Sequence, residues 1–509
     1  MSETLPAAEQ GSLPRGFELH GIESIPDSDR EASIADFMRL CWGGANSLAT
    51  AVLGAFPIMF GLSFWQSVAS TALGVTVGAV VLAPMSVFGP INGTNNAVSS
   101  SAHFGVVGRI VGSFLSLLTA VAFFSISVWS SGDAVIGAAH RLFHVPESDG
   151  LFALAYAIFS VSVLLVCLYG FRIMLFVNKV AVVASSLLFI MGVAAFWGLF
   201  DPHYAGKGLA PGATGFWSAF ISAALVALAN PISFGAFLGD WSRYLPRTTS
   251  KPRLIGATVL AQLLTLLPFL FGIMTASVIA ARAPQYLESV NYTGGLLAIS
   301  PGWFFAPLFA LAILSGMSTG TTSLYGTGLD FSSVLPRLSR PQATLLIGSL
   351  ACGLIFIGRF YFSLQASINT LITLIVVTTT PWMVIMMIGY LVRRGYYLPE
   401  AMQVFNRGQA GGAYWFSGGW NIPGMTAWVL SAGLALLTVN SPGQFVGWLG
   451  NLAGGVDLSL VAALILPAIL YPLCLFLFPE PRDVFGPRGP RFVPASERPI
   501  APVVGERRG

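Results

Sequence analysis

The chain has 509 residues, of which 55% are hydrophobic and only 9% are charged, against roughly 25% charged in an average soluble domain. That balance excludes a soluble globular protein and, still more firmly, a disordered chain; the net charge of +4 is too small to indicate nucleic acid as a partner. At about 20 residues per spanning helix, twelve spans take up about half of the chain, so the composition describes an all-α polytopic membrane protein.

Residues 1–35 are polar and acidic and lack the apolar stretch of a signal peptide, so they are expected to form a tail, with the first span serving as the targeting signal. Apolar runs follow at about 36–62, 64–88, 107–138, 150–170, 173–199, 214–239, 254–281, 303–328, 343–362, 367–392, 423–440 and 458–478. They are numbered here as spans 1 to 12, and the long third run is expected to tilt strongly. Residues 479–509, rich in Pro, Arg and Gly, are expected to be a disordered tail. Cys41, Cys167, Cys352 and Cys474 are far apart and lack metal-ligand spacing, which is the pattern of free apolar thiols.

Charge sets the expected orientation. Of the 25 Lys and Arg, only Arg141, Lys207, Arg282 and Arg359 fall outside the tails and the even-numbered loops. The positive-inside rule then puts both termini in the cytoplasm, which agrees with an even number of spans, and a plasma-membrane location is expected.

A membrane helix has no water to satisfy its backbone, so a mid-depth break persists only where protein or a polar cavity compensates. Two spans are expected to break: span 1 at Gly43-Gly44-Ala45-Asn46-Ser47, followed by Gly54 and Pro57, and span 6 at Asn230-Pro231-Ile232-Ser233-Phe234-Gly235. If the chain is two five-helix repeats plus two helices, spans 1 and 6 correspond, and interrupted segments at matching positions point to a transporter site. Broken helices expose carbonyls that suit a cation and N–H groups that suit an electronegative solute atom.

Several segments resemble the nucleobase–cation symporter family, which includes cytosine, purine, uracil, allantoin and hydantoin permeases. They are His20-Gly21-Ile22-Glu23-Ser24-Ile25-Pro26 before span 1, Gly89-Pro90 through Ala102-His103-Phe104-Gly105 between spans 2 and 3, and Tyr169-Gly170-Phe171-Arg172 before span 5. The most specific is Gly239-Asp240-Trp241-Ser242-Arg243-Tyr244-Leu245-Pro246 at the end of span 6, similar to the family's D-x-x-R-Y-L-P. The end of span 10, Ile388-Gly389-Tyr390-Leu391, lacks the acid that family members commonly carry. The resemblance implies a leucine-transporter-type fold with alternating access. Its inverted repeats would cover residues 36–199 and 214–394, with two more helices in 423–478.

The resemblance also implies a site. Phe123 stands where many members have a stacking Trp, Ser127 where many have an amide that bonds the base, and Phe234 where a second aromatic stacks. Asn230 and Ser233 flank that break, while Gly320 and Thr321 lie where some members place a substrate-binding amide that is missing here. On residues alone, Phe123, Ser127 and Ser131 share a helix face by their spacing, and Phe123 is open to stacking or to packing. In families of this fold that couple to sodium, the ion lies between spans 1 and 8. Ser318 and Thr319 match its hydroxyl ligands, and Gly44 and Leu48 its carbonyl donors. The expected coupling ion is therefore Na⁺, with H⁺ as the alternative, and no cofactor is expected. Asp133, at the outer end of span 3, is either a proton relay or a solvated acid. Asp240 and Arg243 are spaced for an ion pair.

These residues are expected to serve a permease importing a small heterocycle across the bilayer, with no nucleic acid and no obligate protein partner. The rival is an amino-acid, amine or vitamin symporter of the same fold. A channel would need a continuous polar lining, and an enzyme would need titratable groups clustered at depth. His20, His103, His140, His144 and His203 are all expected in loops or tails.

Overall fold

The computed structural model describes residues 22–505 apart from 213–214, 237, 335–337, 362–369 and 442–443. His20, Gly21, Arg337 and the junction of spans 9 and 10 lie outside the described residues. Among the described residues, ten helices are long and apolar enough to cross a membrane. They are Phe64–Asn92, Ile110–Phe143, Asp149–Tyr169, Phe171–Leu199, Phe216–Ser242, Lys251–Arg282, Gly302–Gly326, Pro341–Gly358, Thr370–Val392 and Ser459–Leu477. Two further apolar helices, Leu48–Met59 in span 1 and Ile422–Leu437 in span 11, are shorter. Span 1 is short because it is divided, with Ile34–Ala45 as its first half. A two-stranded antiparallel ribbon pairs Asn440–Ser441 with Phe445–Val446.

Local chemistry sets the helix ends. Ser33 and Asp36 form a reciprocal capping box at the start of span 1, and Ser63 with Gln66 does the same for span 2, each satisfying two otherwise orphaned backbone donors. Gly170, at φ +93°, turns the chain directly from span 4 into span 5, a conformation that a side chain would strain.

Small residues let the central helices approach. A Cβ on Gly54 would lie 2.4 Å from the Phe269 carbonyl, and one on Gly272 would lie 2.1 Å from the Ala51 carbonyl, so spans 1 and 7 touch backbone to backbone. Gly74 and Gly78 of span 2 meet Ala224, Leu228 and Pro231 of span 6 in the same way. Helices packed in lipid associate through such close contacts, since burial of apolar surface supplies little drive there. Span 6 is the most enclosed of the long helices, with 88% of its most apolar window buried, against 28% for span 12. The centre of the bundle is therefore at span 6, and span 12 is at its edge.

The expected disorder after Pro479 is corrected by the structure: the described part of this tail packs onto the bundle. Glu480, 3% exposed, pairs with Arg393 at 2.6 Å, the Arg491 N–H bonds the Val392 carbonyl, and Ala410 bridges to Val504. Composition favoured disorder, but the tail finds partners at the end of span 10 and in residues 410–412, which composition does not reveal. None of the four cysteines is in a disulfide.

Candidate functional site between the broken helices

The break in span 1 is two residues long. The first half-helix runs through Gly43 and Gly44 to Ala45, and the second begins at Leu48. Between them Ser47 is extended, its hydroxyl accepting from the Thr50 N–H at 3.4 Å, while the Thr50 hydroxyl donates to the Ala45 carbonyl at 2.5 Å. In an unbroken helix the Leu48 N–H would bond the Gly44 carbonyl. Here it turns to the Ser315 hydroxyl at 3.4 Å, so the Gly44 carbonyl loses its helical donor. Leu48 opens the second half-helix, and its own carbonyl enters that helix's ladder.

In span 6 the helix Phe216–Ser233 continues through Pro231, and among the described residues the break comes at 234–236. It starts slightly later than the proline suggests. The Asn96 side chain, from the segment between spans 2 and 3, donates to the buried Gly235 carbonyl at 2.9 Å, which is the compensation a mid-membrane break requires.

Three spans converge where the breaks meet. A Cβ on Gly44 would lie 3.0 Å from the Phe234 ring and 3.0 Å from the Thr322 hydroxyl. Phe234 is 4% exposed and edge-on to Trp241, with centroids 5.6 Å apart. The Ser233 hydroxyl is engaged by the Asn230 carbonyl at 2.5 Å, whereas the buried Asn230 Nδ2 has no acceptor among the described residues. Ser318 donates to the Gly43 carbonyl at 3.0 Å, and the buried Thr319 hydroxyl has no partner among the described residues. The structure thus gathers Gly44, Ser318 and Phe234 around the two breaks, with Asn230, Ser233 and Thr319 adjoining them in sequence.

The other expected site residues are distributed around this junction. Gly320 packs on Val163, Thr321 bonds the Ser318 carbonyl at 3.1 Å, and the Cys167 thiol bonds the Thr321 carbonyl at 3.5 Å. Gly320 is therefore turned toward span 4, and the Thr321 hydroxyl is engaged within its own helix. Ser127 donates to the Gly316 carbonyl at 3.1 Å, tying span 3 to span 8. Half-buried Phe123 packs on a cluster that includes Ala49, Leu53 and Val226, on the side of spans 1 and 6. Asp133 accepts from the Tyr156 hydroxyl and lines a polar cavity of about 230 Å³ with Glu147, Arg141 and Asn291. Asp240 and Arg243 are both fully buried, and Arg243 donates to the Tyr244 hydroxyl at 3.1 Å.

Two polar residues at the breaks escaped the sequence reading: Asn178 and Ser315. Asn178 carried a usable signal, because it is an amide within an apolar span. Among the described residues no group of three or more His, Cys, Asp or Glu is arranged to hold a metal ion.

A family model described as "Permease for cytosine/purines, uracil, thiamine, allantoin" matches residues 24–461. The chain is 24% identical over 463 residues to a Bacillus subtilis protein provisionally named purine-cytosine permease YxlA, covering 89% of this chain and 95% of the relative. It is 26% identical over 373 residues to the vitamin B6 transporter TPN1 of Saccharomyces cerevisiae, covering 68% of this chain and 61% of that protein. Among solved structures it matches Mhp1, a nucleobase-cation-symport-1 family transporter in a closed conformation with bromovinylhydantoin bound. There the TM-score is 0.69 at 17% identity, covering 93% of this chain and 98% of that one. It also matches MhsT in complex with L-phenylalanine, with a TM-score of 0.54 at 15% identity, covering 87% and 98%. The shared architecture is the all-α, leucine-transporter-type membrane fold.

Proposed function

The chain belongs to the family of permeases for cytosine/purines, uracil, thiamine and allantoin, and from that premise we propose that it imports a nucleobase or related small heterocycle by cation symport. Its relatives are permeases and transporters, and it is a multi-pass transporter rather than an enzyme. The observation that carries the reading is Phe234, held at the meeting point of two broken helices beside Gly44 and Thr322. A planar ring has faces to stack and an edge of donors and acceptors. Phe234 offers a face, Asn230 an amide N–H with no acceptor, and Phe123 and Ser127 complete the set that family resemblance implies.

Na⁺ is the proposed coupling ion, with H⁺ the alternative. Gly44, Leu48, Ser318 and Thr319 would supply hard, neutral oxygens, which suit an alkali cation. One inward cation supplies about 2.3 kcal/mol per 100 mV, and a tenfold gradient adds about 1.4 kcal/mol. Together they sustain roughly 500-fold accumulation of a neutral base. Alternating access in the plasma membrane, with both termini cytoplasmic as the distribution of Arg and Lys favours, completes the proposal. The likeness to a vitamin B6 transporter supports a second reading, a substituted pyridine as substrate.

Purified protein in proteoliposomes with imposed Na⁺ or H⁺ gradients tests this. Labelled uptake should be driven by Na⁺ and inhibited by at least one of adenine, cytosine, uracil, hydantoin or pyridoxine. Inhibition by amino acids alone would end the heterocycle reading, and uptake that follows only the pH gradient would replace Na⁺ with H⁺.

A further inference from the structure

Asn178, on the span 5 helix Phe171–Phe196, is fully buried. Its Nδ2 donates to the Ser318 hydroxyl at 3.0 Å, and Ser318 in turn donates to the Gly43 carbonyl at 3.0 Å. This relay joins spans 5, 8 and 1 at the point where span 1 breaks. A Cβ on Gly43 would lie 2.2 Å from the Asn178 amide nitrogen, so the glycine is what admits the amide. The other end of the same side chain, Oδ1, is buried with no partner among the described residues.

The relay fixes the Ser318 hydroxyl. Its proton is committed to Gly43 and one lone pair to Asn178, so the remaining lone pair has one direction. Next along each strand of this junction, the Gly44 carbonyl lacks its helical donor and the Thr319 hydroxyl has no partner among the described residues. Oxygens left without donors in a dry interior are costly to bury unless something electropositive satisfies them. A cation satisfies several at once without needing a hydrogen-bond donor of its own.

We propose that Asn178 is a positioning residue for the coupling cation, presetting the Ser318 lone pair toward the ion and lining the same junction with its own amide oxygen. The inference rests on the reading of a Na⁺-coupled site at Ser318 and Thr319, and it adds a third helix to that site. It also assigns Gly43 a role, as the position that must stay without a side chain for the relay to form.

The test is Na⁺-activation of uptake by native protein, Asn178→Ala and Asn178→Asp in proteoliposomes, with substrate KM measured at saturating Na⁺. Asn178→Ala should raise the half-saturating Na⁺ concentration at least tenfold and leave that KM within twofold. Asn178→Asp keeps the volume and loses the Nδ2 donor, but the negative charge it adds beside the ion outweighs one neutral hydrogen bond, so it should lower the half-saturating concentration at least threefold. Opposite shifts from two substitutions at one position are not produced by structural damage. Na⁺-dependent native protein with the same half-saturating concentration in both variants would overturn the role of Asn178. Native uptake that ignores Na⁺ would instead overturn the coupling assignment on which it rests. If Asn178→Ala does not fold, the isosteric Asn178→Asp variant decides alone, with an unchanged or raised half-saturating concentration counting against the proposal.

Discussion

The middle of the bundle and its tail-covered end bury polar groups in opposite ways. At the end, Arg393 donates to Glu480 at 2.6 Å, to the Ala102 carbonyl at 2.5 Å and to the Val484 carbonyl at 3.0 Å. Its guanidinium also lies over the rings of Tyr414 and Phe485. Glu480 takes a second bond, from Asn421 at 2.6 Å, and His103 contacts the hydroxyls of Tyr397 and Tyr471 at 3.1 and 3.3 Å. In the middle, Asn230, Asn178 and Thr319 each keep a buried polar atom without a partner among the described residues. A largely matched buried network favours one arrangement, even with the Arg393 Nε left without a partner among the described residues, whereas the unmatched groups of the middle are open to something that arrives. The tail-covered end therefore has the character of a clasp, and the middle that of a receptor.

The sharpest way to break this contrast is to unmatch the clasp. Glu480→Leu leaves the Arg393 charge buried and uncompensated, a change that costs about 3–5 kcal/mol in comparable buried pairs. Thermal unfolding in detergent should show the loss, and adding Arg393→Met should recover most of it, since replacing both partners by apolar groups is often neutral. An unaltered melting temperature in Glu480→Leu would mean that the pair contributes no stability.

A smaller effect should follow from acid. Burial, and next the nearby Arg393 charge, holds the His103 imidazole well below its ordinary value of 6.5. The neutral ring in the fold and the ordinary ring in the unfolded chain bind protons alike above 6.5. As the pH drops below that value the unfolded chain takes up the proton first. Stability is therefore intact above pH 6.5 and erodes by up to about 1.4 kcal/mol per unit below it, until the depressed folded value is reached. His103→Gln should flatten that part of the stability–pH curve; a curve of the same slope would place the titrating group elsewhere.

The two regions also differ in how far the sequence disclosed them. Both central breaks were visible within a few residues, because Gly43-Gly44 and Pro231 weaken a helix by mechanisms internal to it. The displacement of the second break has a local reason as well: Pro231 removes one N–H, and the helix tolerates that loss until Gly235, where Asn96 can satisfy the buried carbonyl. What stayed hidden was relational. Asn178 is 140 positions from Ser318, and Leu48 is 267 from Ser315, so neither partnership has a spacing to read. Gly320 and Thr321 were placed by family likeness, but the helix turn that carries them faces span 4. The clasp was hidden for the same reason: Arg393 and Glu480 are 87 positions apart, and Glu480 stands at the start of a stretch whose composition reads as disorder.

The smallest expected change in stability is the most discriminating one for the middle. Thr319→Val exchanges two β-branched side chains of similar helix propensity and removes a buried hydroxyl that no described residue engages. Losing a hydrogen bond normally costs stability, but here none is present to lose, and deleting an unsatisfied polar atom is neutral or stabilising. The melting temperature should therefore hold or rise slightly while Na⁺ stops stimulating uptake. A clear fall in melting temperature measured without Na⁺ would show that Thr319 is engaged by the protein itself, and the distinction between clasp and receptor would fail at that residue. Retained Na⁺ stimulation with an unchanged melting temperature would instead keep the distinction and remove Thr319 from the ion's ligands. The two readouts separate a hydroxyl that holds the helices together from one kept for the cation.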